Sequence, residues 1–371
     1  MYKILISGYY GAGNIGDESI LRAVVDNLRA RLTDIEITVL SKSPEYTSEK
    51  YDVRSAPRKD VLAVIREIKR CDLLISGGGS LLQDVTSKKS ILYYLAVMWL
   101  AKLFRKKFFI YSQGIGPINS NFNRWLTMKI LKKASGIVVR DISSKEFLVE
   151  LGLPEESVVV TADPVLRIKR ADPALGREIL ESEGFVRREG SSTVGFAIKE
   201  KKTGSGFVDE LCDSMERLLA RGNVQIVLIP FHFNEDMAVA GVIEQRLTEK
   251  GYGDNVCTLR HKYLTEEMLS IIGNMDVLVG VRLHALIHAA IMGVPMIGIS
   301  YDPKINSFMK SIGMKAMCMI YDFSSDDFLE EFDKTMRERK AIVARVNARL
   351  SVLVDSLDTN EELIKKLMDR K

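Results

Sequence analysis

The stretch DVLVGVRLHALIHAAIMGVPMIGIS, residues 276–300, carries the unit that decides the fold. Asp276–Gly280 is a short apolar run, rich in valine like a covered strand. Val281–His288 opens a helical pattern, and Gly293 and Pro295 close it. Glycine accommodates the left-handed turn past a helix end, and proline cannot continue the helix. Pro295–Ser300 is a second apolar run. Strand, helix and strand in such quick succession read as a crossover between parallel strands.

The same alternation extends towards both termini. Lys3–Ser7, Ile35–Leu40, Asp72–Ser76, Lys107–Ser112, Gly136–Arg140 and Val158–Ala162 read as strands in the first half. Thr193–Ile198, Val224–Pro230, Val256–Leu259 and Ala316–Ile320 join the two strands of the opening stretch in the second half. The runs are near-continuously hydrophobic, as in strands covered on both faces. A chain of 371 residues suits two α/β domains better than one. The expected organisation is an N-terminal Rossmann-like domain over 1–168, a polar linker over 169–192 with a helix around Ala174–Glu183, and a second Rossmann-like domain over 193–340. A charged helical segment over 341–371 completes it. The fold class is α/β, with two Rossmann-like domains in a GT-B-like arrangement around a central cleft, and C-terminal helices. Many enzymes share that architecture, so it names no reaction.

Composition narrows the function. A net charge of +4 with no aromatic–basic recognition motif gives no reason to expect a nucleic-acid partner. Cys71, Cys212, Cys257 and Cys318 form no CxxC pair and sit beside apolar runs, as reduced core thiols do. The sequence opens directly on a strand pattern, so no signal peptide is expected. The longest apolar stretch, Ile91–Leu103, is shorter than the ~20 residues of a membrane helix and reads first as a buried helix. A membrane-surface face is the second reading: Tyr93, Tyr94, Trp99 and Phe104 are followed by Arg105, Lys106 and Lys107.

Open parallel sheets bind ligands at the C-terminal ends of their strands, so chemistry is sought there. After the first strand, Gly11, Gly13 and Gly16 formally match a dinucleotide fingerprint. Asp17 and Glu18 put negative charge where a pyrophosphate would sit, and the second strand ends in Ser41–Lys42 rather than an acid. Asp17 has two readings: stabilising the helix N-terminus, or accepting a proton from a sugar hydroxyl. The glycine loops Gly77–Ser80 and Gln113–Pro117 follow two further strands and permit close backbone approach. Gln83 and Asp84 lie just beyond the first of these and read as sugar-hydroxyl contacts or as surface polarity. Arg140 leaves another strand, placed either for an anion or for an ion pair with Asp141 or a neighbour.

In the second half, His284 and His288 share a helix face one turn apart. There is no HExxH glutamate and no obvious third ligand, so no metal site is expected. His284, in the first helical turn, is the candidate proton donor, and His288 the packing residue. Lys304, after the strand ending at Ser300, is placed for an anion or simply for solvent.

These segments together resemble the polysaccharide pyruvyl transferase family. The resemblance covers most of the chain through GAGNIGDE, GGGSLLQD, SQGIGP, VVRD, ADPV, GVRLHALIHAAIMGVP and YDPK, in that order. It is nearest to bacterial members that build a pyruvate ketal on N-acetylmannosamine of a secondary cell-wall polysaccharide, a polymer associated with S-layer anchoring. The resemblance implies phosphoenolpyruvate as co-substrate, no cofactor, a lipid-linked sugar acceptor, and a cytoplasmic protein peripheral to the inner face of the membrane. It implies Asp17 on the acceptor side, Arg140 and Lys304 on the donor with Arg282 as a third cation, and His284 as the central acid/base. Asn14, Gly78, Gly79, Gln83, Asp84 and Gln113 are then the candidate acceptor contacts.

Two rivals follow from the same residues. One is a nucleotide-sugar glycosyltransferase or epimerase. It would want a diphosphate-binding glycine loop, whereas the second-half strands run into AIKE, PFHFNED, VRLH and YDPK. The other is a non-catalytic glycan-binding protein. The oligomeric state is not legible in the sequence.

Overall fold

The structure is a computed structural model that describes residues 1–85, 87, 89–199 and 206–369. The chain forms two compact units, Met1–Arg167 with Leu353–Lys371, and Ile168–Val352.

Among the described residues, the first unit holds seven parallel strands. They are β1 (Tyr2–Tyr10), β2 (Ile35–Ser41), β3 (Arg54–Pro57), β4 (Leu73–Gly77), β5 (Lys107–Gln113), β6 (Gly136–Val139) and β7 (Val158–Val160). Their spatial order is β3-β2-β1-β4-β5-β6-β7. The chain winds outward from β1 to β3, then returns to lay β4 on the other side of β1. Adjacent loops diverge there, at the C-terminal ends of β1 and β4, and such a switch point is where open sheets take ligands. Among the described residues, the second unit holds β8 (Ser192–Ala197), β9 (Val224–Leu228), β10 (Val256–Thr258), β11 (Val277–Gly280), β12 (Met296–Ser300) and β13 (Cys318–Met319). Their order, β10-β9-β8-β11-β12-β13, puts the switch point between β8 and β11.

The central strands are buried on both faces: β4, β9, β11 and β12 have no exposed position. Each fully buried aliphatic side chain contributes roughly 1.5–3 kcal/mol of transfer free energy. β3 was not expected, and its sequence shows why. RSAP buries only Ala56 and lies at the sheet edge, where a proline costs no central ladder bond.

The opening stretch folds as read. The helix Leu283–Met292 joins β11 to β12 and ends at Gly293, whose φ of 73° is left-handed. Gly280 is required by packing: a β-carbon there would lie 2.7 Å from the Leu286 side chain.

The linker carries its expected helix, and one boundary is organised differently. Residues 169–192 contain the helix Pro173–Ser182, where Gly176 donates its amide to Ser270 Oγ at 2.5 Å; a β-carbon on Gly176 would collide with the Ser270 carbonyl. A boundary at 340/341 falls inside one continuous helix, Ser325–Ser356. The last helix, Asp358–Asp369, belongs to the first unit. Arg167 holds its Glu361 at 3.1 Å, Asn360 donates to Ser112 Oγ at 2.8 Å, and Tyr111 bonds Glu361. These are polar contacts hundreds of residues apart, and no local pattern announces them.

The helix Ser90–Leu103 is largely packed inward, as first read. Tyr94 is buried, and Tyr93 is half-buried with its ring 5.0 Å from the Arg58 guanidinium. Of the four aromatics of the expected surface face, Trp99 alone is strongly exposed, at 53%. None of the described helices is long and apolar enough to cross a membrane.

Candidate functional site

The site in the first unit grows from the loop after β1. Gly11 and Gly13 take left-handed φ values of 71° and 74°, which turns the chain sharply into the helix Ile15–Arg31. Asn14 caps that helix. Its Oδ1 accepts from the Gly16 amide at 3.1 Å, and its Nδ2 donates to Asp17 Oδ2 at 2.6 Å. The two acids then part company. Glu18 is a staple, accepting from the Gly11 amide at 2.8 Å and the Tyr51 hydroxyl at 2.7 Å. Burial lifts its pKa above the usual carboxylate range, against the opposing pull of those hydrogen bonds. Asp17 points elsewhere: its Oδ1 is 2.9 Å from where a β-carbon on Gly79 would stand.

The triple-glycine loop that meets Asp17 is propped by Tyr10. The Tyr10 ring is fully buried and its hydroxyl donates to the Gly77 carbonyl at 2.7 Å. A β-carbon on Gly78, whose φ is 100°, would lie 2.7 Å from that hydroxyl. Burial pushes the Tyr10 hydroxyl pKa well up, and the Asp17 charge adds to the shift. Asp17, Asn14, Gly78 and Gly79 are therefore brought together at the switch point between β1 and β4.

Gln113 ends β5 fully buried, and neither atom of its amide meets a hydrogen-bond partner among the described residues. Such a group costs about 1–3 kcal/mol and marks a position held for something other than packing.

Three expected contacts have other duties. Asp84 is buried and accepts from the Asn119 and Ser120 amides at 2.7 and 2.9 Å and from Asn123 Nδ2 at 3.0 Å, so it shapes the start of the helix Asn121–Leu131. Gln83 closes its own turn, its Oε1 accepting from the Val85 amide at 2.8 Å. Arg140 realises the ion-pair reading. Its Nη1 is 2.8 Å from Asp163 Oδ2, its Nε is 3.6 Å from Asp141, and its Nη2 donates to Ser80 Oγ at 3.1 Å. The guanidinium lies against Gly114, where a β-carbon would come within 2.8 Å of it. This explains both the ADPV aspartate and the SQGIGP glycine, and it makes Asp163 the nearer partner of Arg140 and Asp141 the farther one.

In the second unit, His284 lies half-buried in the first turn after β11, beside the switch point. His288 is fully buried with its ring 5.4 Å from Phe231. Burial, aided by the charge of His284, lowers its pKa to about 3. It is a neutral packing residue.

Arg282 is ion-paired in the same way as Arg140. Its fork grips Asp236, with Nε 3.1 Å from Oδ2 and Nη2 bonded to Oδ1. Asp236 is 1% exposed and also accepts from the Phe231 and His232 amides at 3.0 and 2.8 Å. A guanidinium so committed organises the loop after β9 and leaves little charge for a ligand.

Lys304 sits half-buried with its Nζ 3.2 Å from Asp302 and 5.9 Å from the centre of the Tyr301 ring. The Nζ of Lys199 is 5.5 Å from the same ring. Lys199 was not singled out by the sequence reading, although it follows β8 by two residues, the placement that marked Lys304. Glu200 beside it lies outside the described residues. Tyr301 thus carries two lysines, at the ends of β8 and β12, near the helix start that bears His284. Among the described residues, no group of three His, Cys, Asp or Glu side chains is placed to hold a metal ion.

Comparison with known proteins gives these geometries a context. The model of a family described as polysaccharide pyruvyl transferase matches residues 14–303. The amylovoran biosynthesis protein AmsJ of Erwinia amylovora is 21% identical, over 85% of this chain and 87% of that protein. Anabaena HepE in complex with UDP and glucose superposes with a TM-score of 0.67 at 12% identity, over 100% of both chains. A UDP-GlcNAc 2-epimerase from Neisseria meningitidis bound to UDP-GlcNAc does so with a TM-score of 0.66 at 12% identity, again over 100% of both. A glycosyltransferase from Rickettsia africae reaches 0.64 at 12% identity, over 98% of this chain and 99% of that one. At such identities the likeness establishes the GT-B fold and nothing about substrates.

Proposed function

The chain belongs to the polysaccharide pyruvyl transferase family, and from that membership we propose that it moves a pyruvyl group from phosphoenolpyruvate to a sugar as a 4,6-ketal, releasing phosphate. The proposed acceptor is N-acetylmannosamine of a lipid-linked cell-wall polysaccharide precursor. The proposed setting is the cytoplasm, at the inner face of the membrane. One observation carries the reading: the family match spans residues 14–303, and within it Asp17, oriented by Asn14, and the half-buried His284 fall at the switch points of the two sheets.

The chemistry assigns each residue a task. His284 protonates the methylene carbon of phosphoenolpyruvate, and positive charge develops at C2. A sugar hydroxyl attacks C2 while Asp17 takes its proton. The C2–O bond to phosphate breaks, and a second hydroxyl closes the ketal. Two hydroxyl protons are released, one replacing the proton given to carbon and one leaving with phosphate, so no redox partner or cofactor is needed. Lys304 and Lys199 supply the positive charge that a carboxylate and a phosphate require. Arg140 and Arg282, already paired, hold the loops in shape. The buried amide of Gln113 and the backbone at Gly78 and Gly79 are proposed to meet the acceptor, and Asn14 orients Asp17.

Incubation with phosphoenolpyruvate and a lipid-linked disaccharide ending in N-acetylmannosamine tests this directly. The expected result is one phosphate released per ketal, the product gaining the mass of pyruvic acid less one water. Release of a nucleotide from a UDP-sugar would favour a glycosyltransferase or epimerase, and glycan binding without turnover a lectin-like role. Either would overturn the proposal.

A further inference from the structure

We propose that the groove between the helices Ser90–Leu103 and Asn121–Leu131 docks on the surface of an anionic phospholipid membrane. Trp99, Trp125, Phe108, Ile130, Lys129 and Lys133 line it. Phe108 and Ile130 are buried and form its floor, while Trp99 and Trp125 stand 53% and 48% exposed. Leu103 and Phe122 widen the apolar face, at 55% and 58% exposed. Monomeric proteins seldom leave so many large apolar side chains together in water without a partner.

The charge around the face identifies that partner. From Lys88 to Arg140 the sequence contains lysines and arginines and not one Asp or Glu. Lys129 and Lys133 are exposed, and the Lys129 ammonium sits 4.7 Å from the centre of the Trp125 ring. Two cations of the stretch are paired by acids outside it: Arg124 by Glu150 on a neighbouring helix at 2.6 Å, and Arg140 by Asp163 at 2.8 Å. Tryptophan rings flanked by lysines suit the headgroup layer, where the ring buries its body and the lysine stem lies along it. A second copy of this face would bring like charges together. A small-molecule site would need more room than this groove offers, since its cavity volume is about 130 Å³ against the ~300 Å³ or more of ligand pockets.

The groove lies away from the proposed chemistry of its own unit. Phe108 is the second residue of β5 and Lys133 follows the end of its helix, so the groove lies towards the N-terminal end of the strand, whereas Asp17 and Gly79 follow strand C-termini. Docking and turnover are therefore separable, and this inference does not rest on the proposed reaction.

The only two tryptophans of the protein, Trp99 and Trp125, both line the groove, so intrinsic fluorescence reads it directly. The full-length protein is mixed with vesicles of phosphatidylcholine alone or of phosphatidylcholine and phosphatidylglycerol in equal parts. The expected result is a blue shift and co-sedimentation with the anionic vesicles only, reversed by high salt. Trp99→Phe and Trp125→Phe should each retain a shift from the remaining ring. Lys129→Glu with Lys133→Glu should weaken partitioning by about thirtyfold or more while phosphate release with a soluble acceptor is unchanged. No shift with anionic vesicles, equal binding by the charge-reversed variant, or a shift with single-stranded oligonucleotide but not with vesicles would each overturn it.

Discussion

Asp17 and Gly79 are so close that the glycine's missing side chain is what leaves room for the carboxylate: a β-carbon on residue 79 would stand 2.9 Å from Asp17 Oδ1. Gly79 also has a φ of 52°, which a substituted residue tolerates poorly. Gly79→Ala should therefore do two things. Strain should cost about 1–2 kcal/mol of stability, and displacement of Asp17 should cut kcat by about a hundredfold. Gly152→Ala separates them, since Gly152 has a φ of 94° and nothing within 4 Å of its missing β-carbon. It should lose stability alone. Thermal unfolding and the rate of phosphate release read the two effects, and full activity in Gly79→Ala would remove Asp17 from the mechanism.

His284 is assigned proton transfer rather than binding. His284→Gln should lower kcat by about 10²–10⁴-fold, the usual contribution of a general acid, with the KM for phosphoenolpyruvate little changed. A raised KM with kcat intact would instead make His284 a binding residue.

The cations divide into two classes, and substitution should separate them. Arg282→Ala leaves the carboxylate of Asp236 buried without its counter-charge, a loss of about 3–5 kcal/mol, read as a large fall in the unfolding midpoint. Arg140→Ala should behave alike, because Asp163 is only 5% exposed. Lys304→Ala and Lys199→Ala disturb no such buried pair. Each should leave stability nearly unchanged and raise the KM for phosphoenolpyruvate about ten- to a hundredfold, the value of a charged hydrogen bond of roughly 1.5–3 kcal/mol. Unchanged KM in both lysine variants would move the donor site elsewhere.

The contrast between those classes shows where sequence reading stops. β4, β11 and β12 were legible because strands covered on both faces are continuously apolar. β3 was not, because an edge strand buries one residue in four. Positions at strand ends were legible in the same way, so Asp17, His284 and Lys304 could be picked from local pattern. Whether a cation is free is a tertiary fact. Arg140 meets Asp163 across 23 residues and Arg282 meets Asp236 across 46, and no spacing rule foretells either. Lys199 satisfies the same strand-end rule, but what distinguishes it, its approach to the Tyr301 ring beside Lys304, is a tertiary fact. Gln113 was chosen for its loop, but its burial without a partner could be seen only in three dimensions.

Burial of His288 makes stability depend on pH in a direction that can be worked out. Its pKa is about 3 in the folded protein against 6.5 in the unfolded chain. Above pH 6.5 both states are neutral at this residue and it contributes no slope. Between 6.5 and about 3 the unfolded state binds the extra proton, so stability falls as pH falls, by about 1.4 kcal/mol per unit once below 6. From pH 7 to pH 5 the loss from this one residue should be about 2 kcal/mol. His288→Gln removes the titration while keeping a polar planar side chain against Phe231. The variant should be less stable at pH 7, where a packed ring is lost, yet its urea midpoint should fall less steeply between pH 7 and pH 5. Parallel slopes in the two proteins would mean that His288 reaches water and is protonated in the folded state, contrary to its buried position within the helix Leu283–Met292.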